Sequence, residues 1–547
     1  MREPARAPIN DAKRAQVLPK GPINGSRGFA SVIGVSTFLR TVVPASALAV
    51  WLAGCASLGV SDPTNQPLAG SASAAFAASR QDPTAGDDIL VGLAFSGGGT
   101  RAAAFAHGVL QEIDQTTVRS RNGTGSLLDR IGFVSGVSGG SVAAAYFGLK
   151  KREALADFRE KFLIRNAEES ISTSINAVNL VKAFGGGAND VRTFSRWLND
   201  NLYNGATFAD FRKAPGPHIW INASDIYNRT PFIYGEAAFI ALCSDLASYP
   251  IAEAVAASAA VPILFTPMVI RTYPKQCNDK PPEWLEKARY NPNTPPMLKA
   301  FADALYSYGD GSTKYLKLLD GGLVDNFGLS GFTISRLAAR APHEPLSPEQ
   351  AVRLRRSMII LVDAGRAPSG DWVQTIDGPS GIDLVNAASD TALQAGVRAS
   401  YTAFQSILTD WQRQLINWRC GLSPEQRKRY GAGPNWNCRD IKLILTRVAF
   451  DQLGAARAKV LSAVDTRFRL PVEQVDAVIA GGRDALAVNP QYREFLKGLG
   501  GQSQPRQAPV PEAPLPSEPP STPVATAPSW PFPFPQLPSS FTSSSTQ

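Results

Sequence analysis

The chain has 547 residues, of which 44% are hydrophobic and 18% charged, so it can bury one large core or two or three ordinary ones. Its formal net charge is +9, but residues 1–54 contain seven Arg and Lys against two Asp and Glu and contribute +5 of it. The other +4 is spread over the rest of the chain, and no basic run or interleaved basic and aromatic stripe stands out, which argues against nucleic-acid binding.

An apolar stretch near the amino terminus is typical of an export signal. Arg40 is followed by 14 uncharged residues and then by Cys55, a stretch that is too short to span a bilayer. The sequence Leu52-Ala53-Gly54-Cys55 resembles the lipobox of bacterial lipoproteins. This resemblance implies that residues 1–54 are removed and that Cys55 carries the lipid that anchors the protein to a membrane. Ala56 favours the outer membrane of a bacterial cell envelope, facing the periplasm. The alternative is a buried first helix.

Composition divides the rest of the chain. Residues 55–86 are rich in Ser, Ala, Gly and Pro, which predicts a flexible tether. Residues 501–547 hold 13 of the 42 prolines and little charge, which predicts a disordered tail. We interpret this tail as a spacer; the alternative is a segment that binds a partner. Residues 87–500 are the predicted folded body.

Four further cysteines suit the oxidising compartment that export implies. None shows the C-x-x-C spacing of a metal site, and three pairings are open to them. We predict disulfides Cys243–Cys277 and Cys420–Cys438; the alternative is four buried free thiols. The second bridge would close a loop that is worth about 3 kcal/mol in the chain-entropy model.

The body reads as strands that alternate with helices. An apolar strand, 89–95, runs into a glycine turn and then into a helical stretch with Ala103, Ala106, Val109, Leu110 and Ile113 on one face. The pattern repeats at 131–134, 136–140 and 141–148. The further strand candidates are 218–224, 315–319, 357–362 and 441–448. This alternation predicts an α/β fold with a mostly parallel sheet covered by helices, whose ligands bind beyond the carboxyl ends of the strands.

The first glycine turn is Ser-Gly-Gly-Gly-Thr-Arg, residues 96–101. It partly fits a dinucleotide fingerprint, but it lacks the acidic residue that should end a second strand and the Gly-Lys-Ser/Thr of a phosphate loop, so no cofactor is predicted. Gly97, Gly98 and Gly99 leave unhindered N–H groups at a helix start, as an oxyanion hole requires. Arg101 opposes the helix dipole there, which suggests a contact with an anion or substrate, or else a structural salt bridge.

The second glycine turn matches G-x-S-x-G around Ser138. A serine at a sharp strand-to-helix turn exposes its hydroxyl, and Gly136, Gly139 and Gly140 remove the side chains that would clash with so tight a bend. Ser138 is therefore the candidate nucleophile, and it needs a base.

The base has few candidates. Of three histidines, we interpret His107 and His218 as packing or structural residues; only His343 follows a suitable acid, as an α/β-hydrolase triad would require. That acid is Asp320, which ends an apolar strand and precedes two glycines. Asp325 is a rival acid that we interpret as a turn or cap residue.

The three motifs together, SGGGTR, GVSGG and DGG in that order, resemble those of the patatin-like phospholipases, lipid acyl hydrolases with a Ser-Asp dyad. The stretch ASAAVP, 257–262, resembles the segment that this family carries between nucleophile and acid. The resemblance covers about 88–332, although Ser96 and Ala102 stand where the commonest family loop has Asp and Gly. The body would then be a patatin-like domain with a carboxyl-terminal α/β extension.

The resemblance implies a three-layer architecture, Ser138 as nucleophile, Asp320 as base, and an oxyanion hole built from the glycine loop. It also implies an acyl-serine intermediate, a membrane lipid as substrate, and no metal or cofactor. Two alternatives stay open: an esterase with a Ser138, Asp320, His343 triad, and a non-catalytic envelope lipoprotein. Acyl transfer to an alcohol instead of water is a variant of the acyl-hydrolase hypothesis.

Overall fold

The computed structural model describes residues 62–70, 86–171, 186–274, 276–277, 282–368, 370–499 and 502–503. The predicted signal, Cys55 and almost all of the predicted tail lie outside these residues. The strands are β1 (Ile89–Phe95), β2 (Thr116–Ser120), β3 (Gly123–Ser126), β4 (Ile131–Val137), β5 (His218–Asp225), β6 (Thr230–Tyr234), β7 (Met268–Arg271), β8 (Tyr315–Asp320), β9 (Arg356–Asp363), β10 (Lys442–Ala449) and β11 (Gln502–Ser503).

The α-helices cover much of the remaining described chain. They are α1 (Gly99–Gln115), α2 (Gly139–Lys150), α3 (Ala154–Phe158), α4 (Val191–Leu198), α5 (Glu236–Ala241), α6 (Ile251–Ser258), α7 (Glu283–Tyr290), α8 (Pro296–Asp310), α9 (Gly322–Asp325), α10 (Ser330–Leu337), α11 (Pro348–Arg353), α12 (Gly381–Cys420), α13 (Pro424–Arg429), α14 (Ala455–Ala463), α15 (Val472–Val488) and α16 (Pro490–Gly498).

The main sheet has eight strands in the order β10-β9-β1-β4-β5-β8-β7, with β6 also paired to β5. Strands β10, β9, β1, β4 and β5 are parallel to one another, whereas β6, β7 and β8 form antiparallel pairs. A small second sheet pairs β11, β2 and β3. The predicted α/β fold with a mostly parallel sheet is confirmed.

Helices cover both faces of the main sheet. Alternate residues of β9 belong to two different apolar cores: Ile360 and Val362 pack in one, Ile359 and Leu361 in the other. Because successive strand residues point to opposite faces, the two cores lie on opposite sides of the sheet. This is the three-layer arrangement.

Helix α1 is buried on nearly every side, although its sequence predicts one apolar face. Helix α15, from the carboxyl-terminal part of the chain, packs against its second face. Glycines let the two helices approach closely: a methyl group on Gly108 would lie 2.0 Å from the Ile479 carbonyl oxygen, and one on Gly482 would lie 2.2 Å from that of Phe105. The five residues of the predicted apolar face are all buried. The burial of the second face does not follow from the local pattern, because the partner helix lies more than 350 positions away in sequence.

Part of the predicted tether is packed against the body. Residues 62–70, the strap, run along the segment that contains Cys243. Asn65 is buried and hydrogen-bonds the Arg271 backbone at both its N–H (2.9 Å) and its carbonyl oxygen (2.8 Å). The Leu68 N–H donates to the Cys243 carbonyl oxygen at 2.9 Å. For these nine residues the structure differs from a flexible tether, because side-chain and backbone hydrogen bonds hold them.

The structure contains two disulfides, Cys243–Cys277 and Cys420–Cys438. Across the described ranges, no helix is both long enough and apolar enough to cross a membrane.

Candidate active site

Strands β4 and β8 lie end to end on one side of β5. Residues 221–222 of β5 pair with β4 on one edge and with β6 on the other, and residues 223–225 pair with β6 and β8. Strand β8 therefore pairs with the same edge of β5 as β4 does, beyond the residue at which β4 ends, and it runs antiparallel to β4. Val137 ends β4 opposite Asn222, and Asp320 ends β8 opposite Ala223. This register brings Ser138, the residue after Val137, to Asp320.

Ser138 occupies a strained turn between β4 and α2. Its φ of 51° and ψ of −125° are unusual for a residue with a side chain, and only 5% of its surface is exposed. The turn has no room for side chains on its glycines. A methyl group on Gly139 would lie 1.9 Å from the Gly99 carbonyl oxygen, and one on Gly140 would lie 2.5 Å from that of Ser96. This turn, residues 136–140, which we call the nucleophile turn after its predicted role, is thus in backbone contact with the glycine loop.

Asp320 is buried beside Ser138. Burial raises the pKa of its carboxyl to about 6, while hydrogen bonds from the Gly322 N–H (2.8 Å) and the Ser138 side chain act in the opposite direction. A carboxylate with this pKa is a stronger base than an exposed aspartate and is still mostly ionised at neutral pH. The predicted nucleophile and the predicted base therefore share a hydrogen bond in a dry environment.

The glycine loop presents two of its three N–H groups. The Gly97 N–H already donates to Asn326, at 3.3 Å to its backbone oxygen and 3.2 Å to its Oδ1, so it is not available as an oxyanion donor. Gly98 and Gly99 have φ values of 140° and 59°, and in the described part of the chain their N–H groups have no acceptor. They begin α1, where the helix dipole favours negative charge.

Ser258 supports the nucleophile turn. Its Oγ accepts the Ser138 N–H at 2.9 Å and donates to the Asn222 carbonyl oxygen at 2.6 Å. Its own carbonyl oxygen accepts the Gly321 N–H at 3.1 Å. Ser258 therefore joins the nucleophile turn, β5 and the turn after Asp320.

Asp325 is a cap residue, as interpreted from the sequence. Its carboxylate accepts the N–H groups of Phe327 (3.2 Å), Gly328 (3.0 Å) and Ser330 (2.6 Å). These bonds shape the turn that follows the Asp-Gly-Gly motif and bring Asn326 to Gly97.

Arg101 is buried and faces backbone rather than a ligand. Its Nε donates to the Ala364 carbonyl oxygen at 2.9 Å and its Nη1 to that of Val464 at 2.5 Å, and burial lowers its pKa to about 10. These two bonds let Arg101 brace the start of α1 against residues 364 and 464. Among the described residues it forms no ion pair, which differs from the structural salt bridge that was the alternative; its contact with a substrate or anion stays a prediction.

The histidines lie elsewhere. His343 Nδ1 lies 2.8 Å from the Leu346 carbonyl oxygen, and its ring packs on Trp418. His107 is buried, and burial beside Arg483 lowers its pKa to about 4. His218 begins β5 and packs on Trp220. Among the described contacts, none joins a histidine to Ser138.

Sequence reasoning missed three residues that position the site. Ser258 lies within the stretch ASAAVP, and Asn326 follows the Asp-Gly-Gly motif by four residues, so their place at the motifs was a usable signal. Ser224, whose Oγ donates to the Asp320 carbonyl oxygen at 2.9 Å, lies in a strand and carries no motif. Within the described ranges, no group of three or more His, Cys, Asp and Glu side chains is placed to hold a metal ion.

Comparisons with known proteins agree with the motifs. Residues 93–333 match the model of the patatin-like phospholipase family. Among solved structures, human GIVD cytosolic phospholipase A2 aligns at 12% identity and a TM-score of 0.36, over 75% of this chain and 62% of that one. VipD from Legionella pneumophila aligns at 13% identity and a TM-score of 0.29, over 82% and 73%. The chain spans about three fifths of the length of the human enzyme. No curated protein matches the sequence.

Proposed function

Because residues 93–333 of this chain match the model of the patatin-like phospholipase family, we propose that the protein is a lipid acyl hydrolase with Ser138 as nucleophile and Asp320 as base. The observation that carries the proposal is the pair itself: a serine at a strained turn that shares a hydrogen bond with a buried carboxyl whose pKa is raised to about 6.

The reaction needs only groups that this site contains. The Ser138 Oγ attacks the carbonyl carbon of a lipid ester while Asp320 takes its proton. The oxygen that becomes negative lies against the N–H groups of Gly98 and Gly99, and each such donor is worth about 3 to 4 kcal/mol in the transition state. The alcohol leaves with the proton from Asp320, and an acyl group stays on Ser138.

The second half of the reaction reverses these roles. Water attacks the acyl-serine carbonyl carbon, Asp320 takes the proton from this water, and the same N–H groups stabilise the second tetrahedral intermediate. Collapse returns the proton to the Ser138 Oγ and releases the fatty acid. No other proton carrier is required, which favours the dyad over the triad, since His343 is hydrogen-bonded to Leu346 instead.

We also propose that the protein is a lipoprotein of a bacterial cell envelope, held through a lipid on Cys55. The support is the lipobox-like sequence that ends at Cys55 and the two disulfides, which suit an oxidising compartment. Mass spectrometry of the mature amino-terminal peptide tests this: the expected result is an acylated Cys55 as first residue, and an unmodified residue 55 within a longer peptide would contradict it.

The test of the proposed function compares three proteins: the unaltered chain, Ser138→Ala and His343→Ala. We expect the unaltered chain to react with a fluorophosphonate probe and to release fatty acid from phospholipid. Ser138→Ala should lose labelling and lower the rate by roughly a thousandfold or more. His343→Ala is the control for the triad and should keep its rate.

Each alternative has its own result. A large loss of rate in His343→Ala would support the triad. An unaltered chain that neither reacts with the probe nor hydrolyses esters would support the non-catalytic lipoprotein. Full activity in Ser138→Ala would overturn the proposed nucleophile.

A further inference from the structure

Aromatic and apolar side chains are exposed where β5 and β8 project from the sheet. Ile226 and Tyr227 form the tip of the hairpin between β5 and β6 and are 41% and 75% exposed. Tyr315 begins β8 and is 42% exposed. The hairpin and β8 are neighbours, since the Ile226 N–H donates to the Lys317 carbonyl oxygen at 3.3 Å. The three side chains therefore lie in one region of the surface.

Basic side chains surround them. The ammonium groups of Lys314 and Lys317 lie 5.4 and 5.7 Å from the centre of the Tyr315 ring, and Arg271 is opposite Tyr315 on β7. We call Ile226, Tyr227, Arg271, Lys314, Tyr315 and Lys317 the β8 patch. Arg229 adds a further exposed cation to the hairpin.

The segments that form the β8 patch are basic, and the exposed Asp310 precedes the last of them by four residues. Segments 226–229, 268–274 and 314–319 contain four basic residues and no acidic one. The flanking Asp225 is buried and accepts a hydrogen bond from the Tyr308 hydroxyl at 2.6 Å. In the described part of the chain, none of the four cations forms an ion pair with a carboxylate.

The β8 patch lies beyond the catalytic edge of the sheet, the edge at which Ser138 and Asp320 meet. Strand β8 leads directly from Tyr315 to Asp320, a rise of about 17 Å at roughly 3.3 Å per residue. The hairpin projects beside it, because β5 continues three residues past Asn222, the position that pairs with the end of β4. The distance from patch to dyad is comparable to half the thickness of a bilayer, which is about 40 Å with its headgroups.

The strap brings the amino-terminal segment to the same place. Asn65 is hydrogen-bonded to Arg271, a patch residue, and the Tyr273 hydroxyl donates to the Asn65 carbonyl oxygen at 2.6 Å. Cys55 lies ten positions before Asn65 in the sequence, so it can be at most about 35 Å away, whatever path the chain takes. A lipid on Cys55 would therefore hold this side of the protein near the membrane.

We propose that the β8 patch binds an anionic membrane surface and so holds the catalytic edge against it. Tyrosine rings with an apolar body and a polar tip suit the headgroup region, and basic side chains beside them attract anionic lipids. The inference rests on the proposed function, which gives membrane binding its purpose. A lipid that leaves the membrane surface at the patch reaches Ser138 after moving only about the length of β8. An acidic protein surface would satisfy the charge, but it would not explain the aromatic hairpin tip above a lipid hydrolase site.

The test measures binding separately from hydrolysis. The full chain carries Cys55→Ser, which cannot be acylated, and Ser138→Ala, which does not degrade the vesicles. Sedimentation compares vesicles of phosphatidylcholine alone with vesicles that also contain phosphatidylglycerol. We expect binding to the anionic vesicles only, and a fall of roughly 25-fold or more in Lys314→Glu/Lys317→Glu, at about fivefold for each cation removed.

Matched controls separate the β8 patch from surface properties in general. Lys428→Glu/Lys497→Glu makes the same change in charge with two exposed lysines far from β8 and should bind as before. Ile226→Ser/Tyr227→Ser should weaken binding about tenfold, whereas Tyr290→Ser, which removes a tyrosine that is 73% exposed on α7, should not. With Ser138 restored, the patch variants should hydrolyse a soluble short-chain ester at the unaltered rate.

The results distinguish the two proposals. Equal vesicle binding by the patch variants and their controls would overturn the membrane proposal whatever the enzyme activity is. Absence of binding by the starting protein to either vesicle would overturn it as well and would favour an acidic protein partner. If the unaltered chain does not hydrolyse the soluble ester, the proposed function is contradicted. The vesicle-binding assay would still test the membrane proposal on its own.

Discussion

Asp320 illustrates, at the scale of one residue, how the fold exchanges stability for basicity. Its carboxyl ionises less readily in the folded protein than in the unfolded chain, because burial raises its pKa to about 6 from 3.8. The charged form is therefore destabilising above pH 6. The penalty disappears as the pH falls from about 6 to 4, where the folded protein takes up the proton first. A rise of this size corresponds to roughly 3 kcal/mol at neutral pH.

Removing this charge should stabilise the protein while it abolishes catalysis. We expect Asp320→Asn to raise the free energy of unfolding by roughly 1 to 3 kcal/mol at pH 8, because an amide keeps the shape of the side chain and its bond from Gly322. The gain should vanish near pH 4. Denaturant unfolding at both pH values measures it, beside an assay of ester hydrolysis. An equal gain at both pH values would contradict the link to ionisation.

Asp325→Asn is the contrasting variant. The pKa of Asp325 is also raised by burial, but its two carboxylate oxygens accept three backbone N–H groups. An amide nitrogen would face one of these donors, so this variant should lose stability at pH 8. The two acids differ in how many donors each carboxylate meets.

At the scale of single elements, the glycine loop should be sensitive to any side chain. A methyl group on Gly98 would lie 3.0 Å from Arg101 Nη2 and 3.2 Å from the Ala102 Cβ, so Gly98→Ala requires these neighbours to shift by a few tenths of an ångström. It also places a side chain on a backbone with a φ of 140°. We expect the rate of ester hydrolysis to fall by about 100-fold or more, as for loss of one oxyanion donor.

Gly123→Ala is the matched control. Gly123 also has a positive φ, 106°, but a methyl group there would meet nothing within 4 Å. Both substitutions strain the backbone, by roughly 1 to 3 kcal/mol. Only the methyl group on Gly98 also presses on neighbouring side chains. Equal activity in the two variants would argue against Gly98 as part of the oxyanion hole.

The sequence predicts the strands of the site well and their pairing poorly. The strand predicted at 89–95 has these bounds in the structure, and the one predicted at 315–319 ends one residue later, at Asp320. Apolar runs between glycine turns are local signals. That β8 runs antiparallel and meets β4 end to end depends on partners far apart in sequence, which no local pattern carries. The same limit hid Ser224, which reaches Asp320 only through the pairing of β5 with β8.

At the scale of the whole molecule, the part beyond the matched family region braces the site. The Thr100 N–H donates to the Arg467 carbonyl oxygen at 2.8 Å, and Arg101 is held by carbonyl oxygens of residues 364 and 464. Strands β9 and β10 extend the sheet beside β1. The glycine loop is therefore positioned by contacts with residues that follow position 333, so the extension helps to shape the proposed active site.

The strap joins the amino-terminal segment to the body, partly through the side chain of Asn65. The Asn65 side chain also donates to the Ser244 Oγ at 3.0 Å, in addition to its two bonds with Arg271. Asn65→Ala removes these three hydrogen bonds at a cost of about 2 kcal/mol. The Arg271 N–H and carbonyl oxygen lose their partner in the strap, whereas the Ser244 Oγ keeps its bond to the Gln66 carbonyl oxygen at 2.8 Å. Because a terminal segment can open by itself, this cost should appear as local opening.

Hydrogen exchange measures this opening directly. The Leu68 N–H donates to the Cys243 carbonyl oxygen, and the Asp245 N–H donates to that of Gln66, so both amides report on the strap. In Asn65→Ala both should exchange about 30-fold faster or more, as expected for a loss of about 2 kcal/mol. Amides of β4 should keep their protection. Gln66→Ala removes an exposed side chain and should change neither amide. Unchanged exchange in Asn65→Ala would mean that the strap is held by its backbone alone, and the geometric link between Cys55 and the β8 patch would then rest on those backbone bonds.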